Sequence, residues 1–215
     1  MTVIPFSQAL RERTWSSHGD SEGASFMKDL MTGKGTREDY IALVAQHFFI
    51  YEAIEAAAER FADNTVAAPF ISPQLTRLNA IEDDLAFLIG PDWRDQISPL
   101  PTTVAYVNRV NEIAAEGWVG GFIAHHYTRY LGDLSGGQAI RRLMQRQFGF
   151  ETNGVGFYFF DQIASPKEFK ETYRDELDAV EWDDAERTRV IDEVLEAYRF
   201  NTELFVDLSA AKAAA

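Results

Sequence analysis

The sequence predicts an all-α protein, and three observations support that fold class. Apolar residues recur at spacings of three and four along most of the chain, as on one face of a helix. Runs in which apolar and polar residues alternate are nearly absent, and the apolar run at 157–160 is too short to carry a sheet. The length of 215 residues suits one domain with a substantial core.

Capping and breaking residues set the expected helix boundaries. Thr36 is typical of an N-cap, with Asp39 three residues later, and Ser72–Pro73 and Ser165–Pro166 put a capping residue before a proline. About eight helices are predicted, at approximately 5–18, 25–31, 37–61, 73–89, 102–116, 119–147, 166–180 and 183–208. We expect a single helical domain over residues 1–208 and a disordered alanine-rich tail at 209–215.

Composition excludes several kinds of site and partner. The chain has no cysteine, which rules out disulfides, cysteine zinc sites, iron–sulfur clusters and thioether-linked haem. The net charge of -14 argues against nucleic-acid binding, and it means that an anionic ligand needs local cations. The sequence shows no basic segment followed by an apolar one and no run of 18 apolar residues. We therefore expect a soluble, cytoplasmic monomer that binds no membrane.

The segment from Tyr130 to Gly137 places three glycines inside what the flanking periodicity predicts to be one long helix. Each glycine inside a helix costs about 1 kcal/mol relative to alanine, so another interaction must offset their cost. Gly132 and Gly136 lie one turn apart and share a helix face, which leaves a groove over the backbone. The groove suits either a neighbouring helix or a flat ligand. Ser135 is expected to support a bend by bonding to a carbonyl one turn earlier.

The four histidines do not form a multi-ligand metal site by spacing. Neither His-Glu-x-x-His nor Glu-x-x-His occurs around His18, His47, His125 or His126. A single axial ligand remains possible. His18 follows Arg11 by seven residues, or about 10 Å along a helix, which matches the distance from a porphyrin centre to its carboxylates. The alternative is a histidine at a helix C-terminus, favoured by the helix dipole. At least one of His125 and His126 is expected to be a buried structural residue, because consecutive helical residues cannot both face one site, and His47 is expected in the core or at the rim.

Four segments together resemble the haem oxygenase family. The run from Phe122 to Gly137, FIAHHYTRYLGDLSGG, matches the family signature almost residue for residue. His18 with Glu22, followed by Phe26–Met27, resembles the proximal region of the family. The runs 169–174 (FKETYR) and 200–205 (FNTELF) resemble its propionate-binding and final helices. The resemblance covers nearly the whole chain. The length of the chain is most like that of the soluble bacterial members.

The resemblance implies a fold in which haem lies between a proximal helix and a kinked distal helix. His18 would be the iron ligand and Glu22 the group that orients it. Asp133 would anchor a water network that delivers protons, while Gly132 and Gly136 would let the distal helix pass close over the haem. The haem propionates would be held by Arg11, Tyr127, Lys170 and Arg174. The chain departs from the family at Arg11, where lysine is common, and at Gly19, where a bulkier residue is common.

The resemblance also implies the reaction. Haem would be both substrate and cofactor, and O2 with externally supplied electrons would open its ring through a ferric hydroperoxide that attacks a meso carbon. The products would be biliverdin, carbon monoxide and ferrous iron. The sequence has no flavin or nicotinamide fingerprint, so an external reductase or ferredoxin is required. We expect it to dock near Arg141, Arg142 and Arg146 or near Arg11 and Arg13, although cations near a helix C-terminus are also favoured by the dipole.

Three other interpretations of the sequence remain. A haem-binding or storage protein would use the same pocket without turnover, but storage does not need Asp133 beside the glycines. A thiamine-degrading hydrolase of similar helical architecture relies on a cysteine or an acidic pocket, and this chain has no cysteine. A plain helical scaffold would leave the cost of the three glycines without compensation.

Overall fold

Helices make up most of the chain. The structure is a computed structural model that describes residues 4–23 and 25–214, and for residues 17–23 it describes the backbone alone. Nine α-helices and no strand occur within these residues, in agreement with the predicted all-α class. The helices are α1 (Phe6–Gly23), α2 (Ser25–Met31), α3 (Arg37–Phe61), α4 (Leu78–Ile89), α5 (Pro101–Glu116), α6 (Val119–Gly132), α7 (Gln138–Phe148), α8 (Pro166–Ala179) and α9 (Asp184–Ala214).

Two long helices organise the core. α3 packs against α4, α5 and α6, and α9 packs against α1, α2, α5 and α6. α3 begins at the predicted residue because Thr36 and Asp39 form a reciprocal capping box. The Thr36 side chain accepts a bond from the Asp39 N–H at 3.2 Å, and the Asp39 carboxylate accepts one from the Thr36 N–H at 2.8 Å. This packing brings α6 between the two long helices.

The start of α4 differs from the prediction. Ser72 and Pro73 open only a single 3₁₀ turn, Pro73–Leu75, and α4 begins at Leu78. The cause is a tertiary contact, because the Glu55 carboxylate on α3 accepts hydrogen bonds from the N–H groups of Arg77 and Leu78, the latter at 3.1 Å. A side chain from another helix therefore takes the place of a local cap.

The last helix continues past the predicted end at Leu208. Residues 209–214, which the sequence predicted to be a disordered tail, extend α9 to Ala214. Alanine has the highest helix propensity, and Lys212 also holds this end through an ion pair with Asp39, at 2.7 Å between Nζ and Oδ2. The first helix likewise runs past His18 to Gly23.

Within residues 4–23 and 25–214, one helix has the length and composition that a membrane span would need. α3 has a mean hydropathy of 1.3 over its most apolar 18 residues. Much of this window, 61 %, is buried inside the protein. The burial accounts for α3 as the central core helix of the fold, because core helices can pass the same test of length and composition.

Candidate functional site

A cleft runs along α6 where it faces α1, α3 and α9, and it consists of two adjoining cavities. The space within the first cavity, including the part open to solvent, is about 740 Å³, and that within the second is about 680 Å³. Thr128, Gly132 and Tyr198 line both, so the two cavities meet at these residues. The first is also lined by Met27, Leu43, His47, Arg129, Asp133, Gly136, Gly137, Ile140, Tyr158, Asn201 and Phe205, and the second by Arg11, Thr14, Trp15, Tyr127, Leu131, Ser135 and Arg174.

The glycine-rich segment forms the wall of the cleft. Asp133–Gly137 is a π-helical turn between α6 and α7, where the sequence predicted a bend in one continuous helix. Such turns are rare and occur often at functional sites. Gly132 and Gly136 both line the first cavity, as their shared face predicted. A Cβ added to Gly132 would meet no other group within 4 Å, so the missing side chain leaves open space in the cleft.

Packing against Tyr158 requires glycine at position 137. A Cβ at this position would lie 2.8 Å from the ring of Tyr158, closer than real contacts allow. Gly137 is therefore required by internal packing, whereas Gly132 borders the cleft.

Ser135 joins the π-helical turn to α8. Its hydroxyl donates to the carbonyl of Leu131 at 2.7 Å, which confirms the predicted bond to a carbonyl one turn earlier. The same hydroxyl accepts a bond from the Lys170 ammonium at 2.7 Å. Lys170 is thereby held beside the second cavity, at the edge that Ser135 lines.

Asp133 also lines the first cavity, and its partner is a tyrosine. The Tyr51 hydroxyl, on α3, donates a short hydrogen bond to Oδ2 of Asp133. Burial raises the pKa of Asp133 to about 6, although the charge of Arg129 and the bond from Tyr51 both lower it. A carboxyl group with this pKa exchanges a proton readily near neutral pH.

Arg129 completes the polar wall of the first cavity. Its side chain is only 7 % exposed, and its Nη1 donates to the Asn201 side-chain oxygen on α9 at 2.9 Å. Its guanidinium also lies 5.1 Å from the centroid of the Tyr51 ring. Arg129, Tyr51 and Asn201 are functional candidates that sequence reasoning missed. The available signal was an arginine within the apolar run of α6, since a buried arginine must have acceptors nearby.

The second cavity brings three of the four predicted propionate-binding residues together. Arg11 of α1, Tyr127 of α6 and Arg174 of α8 all line it. Burial raises the pKa of the Tyr127 hydroxyl, and the charges of Arg174 and Arg11 lower it, which places both cations near this hydroxyl. The cavity therefore has a cationic edge suited to carboxylates, in a protein with a net charge of -14.

The described histidines divide between the cavity and the core. His125 Nε2 lies 2.9 Å from Oε1 of Glu193, and His126 Nδ1 lies 2.9 Å from the Tyr173 hydroxyl. Both are therefore buried structural residues, where the sequence predicted at least one. His47 lines the first cavity. The side chains of His18 and Glu22, and the surroundings of Gly19, lie outside the described part of the structure. Among the described residues, no three or more potential metal ligands form a cluster.

The arginines predicted to receive a redox partner are not equivalent. Arg142 and Arg146 are exposed on α7. Arg141 is half-buried, with its guanidinium 4.4 Å from the centroid of the Phe159 ring. Arg13 lies 3.8 Å from a carboxylate oxygen of Asp192. The structure thus reduces the predicted cluster on α7 to two exposed cations, because stacking on an aromatic ring buries the third.

Comparison with known proteins gives consistent results over most of the chain. The sequence model of the family described as Heme oxygenase matches residues 4–207. Heme oxygenase 1 of Homo sapiens is 39 % identical over 206 residues, covering 94 % of this chain and 71 % of the human protein. Heme oxygenase 1 of the cyanobacterium Synechocystis is 35 % identical over 205 residues, covering 95 % of this chain and 85 % of that protein.

Solved structures resemble this one equally well. The crystal structure of Synechocystis heme oxygenase-1 in complex with heme has a TM-score of 0.91 at 34 % identity and covers 97 % of this chain and 94 % of that one. The heme oxygenase of Leptospira interrogans has a TM-score of 0.88 at 32 % identity and covers 94 % of this chain and 98 % of that one.

Proposed function

The chain belongs to the haem oxygenase family, and from this premise we propose which of its residues perform the family's reaction. It is a haem oxygenase, an enzyme that converts haem, O2 and externally supplied electrons to biliverdin, carbon monoxide and ferrous iron. The observation that carries the assignment of the site is Gly132, whose absent side chain opens onto the cleft directly beside Asp133. Bound haem supplies the iron at which O2 is reduced and the ring that is oxidised.

Haem lies in the cleft along α6, in this proposal. The two cavities meet at Gly132, so a flat ligand can extend from the first cavity to the cationic edge of the second. Gly132 and Gly136 let the backbone approach the ring closely and bring no acidic side chain above it. Their cost in helix stability is offset by contact with the ligand.

His18 is proposed as the iron ligand, with Glu22 as the residue that orients it. Both lie on α1, the helix that carries Arg11 into the second cavity. Arg11 precedes His18 by seven residues, about 10 Å along a helix, so one helix supplies a ligand and a propionate partner. A neutral imidazole donates less electron density to iron than a thiolate does, which disfavours early cleavage of the O–O bond.

The propionates are assigned to the cationic edge of the second cavity. Arg11 and Arg174 supply fixed charges, and the Tyr127 hydroxyl between them supplies a hydrogen bond. Lys170 approaches the same edge from α8 and is steadied by Ser135. Burial and the charge of Arg174 lower the pKa of Lys170, and a carboxylate at this edge would favour its charged form.

Asp133 is proposed to deliver protons through ordered water. Its carboxyl group holds one position because Tyr51 donates to Oδ2, and Tyr51 is held by the guanidinium of Arg129 over its ring. Asp133 is partly exposed to the cavity that Gly132 and Gly136 line. With a pKa of about 6, its carboxyl can accept a proton from solvent and release it to water in the cleft.

A spectroscopic experiment tests the assignment. Haemin is added to the purified chain, followed by a reductant in air, and the visible spectrum is recorded. We expect a Soret band that gives way to the absorption of biliverdin. A stable Soret band would instead favour a storage protein, the alternative that shares the same pocket. His18→Ala should change the Soret band and abolish turnover, and an unchanged spectrum and rate would contradict the ligand assignment.

Electrons are proposed to come from an acidic protein such as a ferredoxin, or from a flavoprotein reductase, that docks on α7 at Arg142 and Arg146. Both side chains are exposed, and they are separated by one helical turn on a protein that is otherwise strongly acidic. We further propose that the chain acts as a monomer in the cytoplasm. Sedimentation of the purified protein and fractionation of the source cells test these two points.

A further inference from the structure

A side chain of α8 holds the first turn of α1. Oδ1 of Asp178 accepts a hydrogen bond from the Ser7 N–H at 2.7 Å, and Oδ2 accepts one from the Ser7 hydroxyl at 2.9 Å. Both oxygens of one carboxylate therefore bind both donors of one residue. A pair of bonds with a charged acceptor restricts the orientation of the two helices as well as their separation.

The position of Asp178 is explained by α1 and not by its own helix. Asp178 lies in the last turn of α8, where the helix dipole disfavours an anion. The first N–H groups of a helix lack acceptors within it, and its dipole favours an anion there, so the same carboxylate suits the start of α1. Beside it the rings of Phe6 and Trp182 meet edge-on, with centroids 5.4 Å apart. The carboxylate and this apolar contact together attach α1 to α8 and the chain that follows it.

The attachment lies one helical turn from the cations of the second cavity. Ser7 precedes Arg11 by four residues on α1, and Asp178 follows Arg174 by four residues on α8, a distance of about 6 Å along each helix. Residues four apart share a helix face. The faces of α1 and α8 that meet at Ser7 and Asp178 therefore also carry Arg11 and Arg174 to the cavity that both arginines line.

The cations of this edge repel one another, so the helices that carry them need an attachment. The charges of Arg174 and Arg11 both lower the pKa of the Tyr127 hydroxyl, and the charge of Arg174 also lowers the pKa of Lys170. Like charges near one group favour separation of α1 from α8. Asp178 opposes that separation through its two bonds and through its own negative charge.

We propose that Asp178 and Ser7 are positioning residues that hold Arg11 and Arg174 at the separation that the carboxylates of the bound ligand require. This role rests on the proposed function, in which those carboxylates are the haem propionates. Neither Asp178 nor Ser7 is among the described residues that line the two cavities, so both act through the arginines.

Haem and haem dimethyl ester, which lacks the free carboxylates, give the main test. Asp178→Ala should weaken the binding of haem to the full chain about 3- to 10-fold, because the arginines are less well placed for the propionates. The affinity for the ester should change less than about 2-fold. Absorption titration measures both affinities. A general role in folding would weaken both ligands equally, and that result, or an unchanged affinity for haem, would overturn the proposal.

Asp175→Ala is the matched control for charge. It removes one carboxylate from the same exposed helix surface, and the Asp175 carboxylate forms no hydrogen bond with a described residue. The ratio of the affinities for haem and for the ester should stay as in the original chain. A fall in this ratio as large as that in Asp178→Ala would indicate a response to net charge, and it would contradict the proposal.

Variants of Ser7 test the contact from the other helix. Ser7→Ala loses one of the two bonds to Asp178 and should lower the affinity ratio by less than Asp178→Ala does. Ser7→Thr keeps both donors and should retain the original ratio. Ser7→Ala should add nothing in the Asp178→Ala background, because the partner is already absent. Additive losses would contradict the contact between the two side chains.

Hydrogen exchange tests the attachment on the haem-free chain. In Asp178→Ala the Ser7 amide loses its acceptor, so its exchange, measured by NMR, should be about 10-fold faster. An unchanged rate would overturn the attachment.

Arg11→Ala distinguishes failure of the positioning role from failure of the proposed function. This variant should weaken haem binding and leave the ester unaffected. An equal effect on both ligands would remove the propionate assignment, and with it the positioning role. The expected effect of Arg11→Ala without that of Asp178→Ala would overturn the positioning role alone.

Discussion

The Tyr51 hydroxyl donates a hydrogen bond to Oδ2 of Asp133, and this bond joins the central helix α3 to the π-helical turn beside the cleft. The bond stabilises the ionised carboxylate, while burial of the carboxyl favours the protonated form. The result of this competition is a pKa of about 6. The relationship therefore sets how readily Asp133 takes and releases a proton.

Removal of the Tyr51 hydroxyl should raise the pKa of Asp133. In Tyr51→Phe the carboxylate loses a donor and keeps its burial, so we expect a pKa well above 6, measured by ¹³C NMR of the carboxyl carbon.

The stability of the haem-free protein should also depend on pH in a specific way. Because the folded pKa lies above the unfolded value near 3.9, the folded state binds the proton more tightly, and stability falls as pH rises from about 4 to about 6.

Asp133→Asn should remove part of the fall in stability between about pH 4 and pH 6, since an amide does not titrate. Asp84, whose pKa burial also raises to about 6, would contribute the remainder. In the loaded protein, Asp133→Asn should leave haem uptake intact and abolish conversion to biliverdin. Turnover at the original rate would remove Asp133 from proton delivery, and an unchanged stability profile would contradict its elevated pKa.

Gly132→Ala and Gly137→Ala should have opposite effects on the haem-free protein. Gly132 has helical backbone angles and free space around its absent Cβ, so alanine should stabilise the chain by about 0.5–1 kcal/mol. At Gly137 the new methyl group would meet the Tyr158 ring, and we expect destabilisation of about 1–3 kcal/mol. Thermal unfolding measures both changes.

Gly132→Ala should impair the interaction with haem even though it stabilises the haem-free fold. The methyl group at position 132 would occupy the cleft, so Gly132→Ala should weaken haem binding or change the ring position that is opened, despite the more stable fold. Absorption titration and analysis of the biliverdin isomer measure these effects. Full affinity with an unchanged isomer would place the haem away from Gly132.

Local signals in the sequence predicted most helices and the position of the cleft, because these signals lie within one segment. The capping box at Thr36 and Asp39 is complete in four consecutive residues, and the glycines at 132 and 136 share a face in any helix. The start of α4 was missed because its cap, Glu55, lies on a different helix.

Contacts between distant segments explain the other omissions. Tyr51, Arg129 and Asn201 come from three helices, and only the folded packing of α3, α6 and α9 brings them together around Asp133. The π-helical turn was expected only as a bend, since glycines indicate where a helix can deform but not the hydrogen-bond pattern it adopts.

A buried ion pair remote from the cleft should contribute to stability alone. Glu193 accepts bonds from Arg109 Nε at 2.9 Å and Nη2 at 2.6 Å, and its Oε1 lies 2.9 Å from His125 Nε2. Burial raises the pKa of Glu193, but the bonds to His125 and Arg109 outweigh burial and bring the pKa down to about 2. Glu193→Gln should cost about 2–3 kcal/mol at neutral pH, because Arg109 loses its charged partner.

The pH dependence of that loss has a defined sign. The folded pKa of Glu193 lies below the unfolded value, so its contribution is present above about pH 4.5 and is lost as pH falls toward 2. The difference between Glu193→Gln and the original chain should therefore shrink over this range. Glu196→Gln is the control, since its pairing with Arg199 is at the surface and should be worth less than 1 kcal/mol. Equal effects of the two variants would contradict the role of burial.

Docking of an acidic electron donor on α7 predicts that reduction of the bound haem depends on charge at Arg142. Arg142→Glu should slow reduction by a ferredoxin about 3- to 10-fold at low ionic strength, because the substitution reverses one charge that steers the encounter. The effect should diminish as salt screens the surface, and reduction by dithionite should be unchanged. Stopped-flow absorption at the Soret band measures these rates.

Arg60→Glu is the control, since Arg60 is also exposed but lies at the end of α3, outside the docking surface. Equal slowing by both variants would indicate a response to net charge, and no slowing by Arg142→Glu or by Arg146→Glu would place the donor elsewhere.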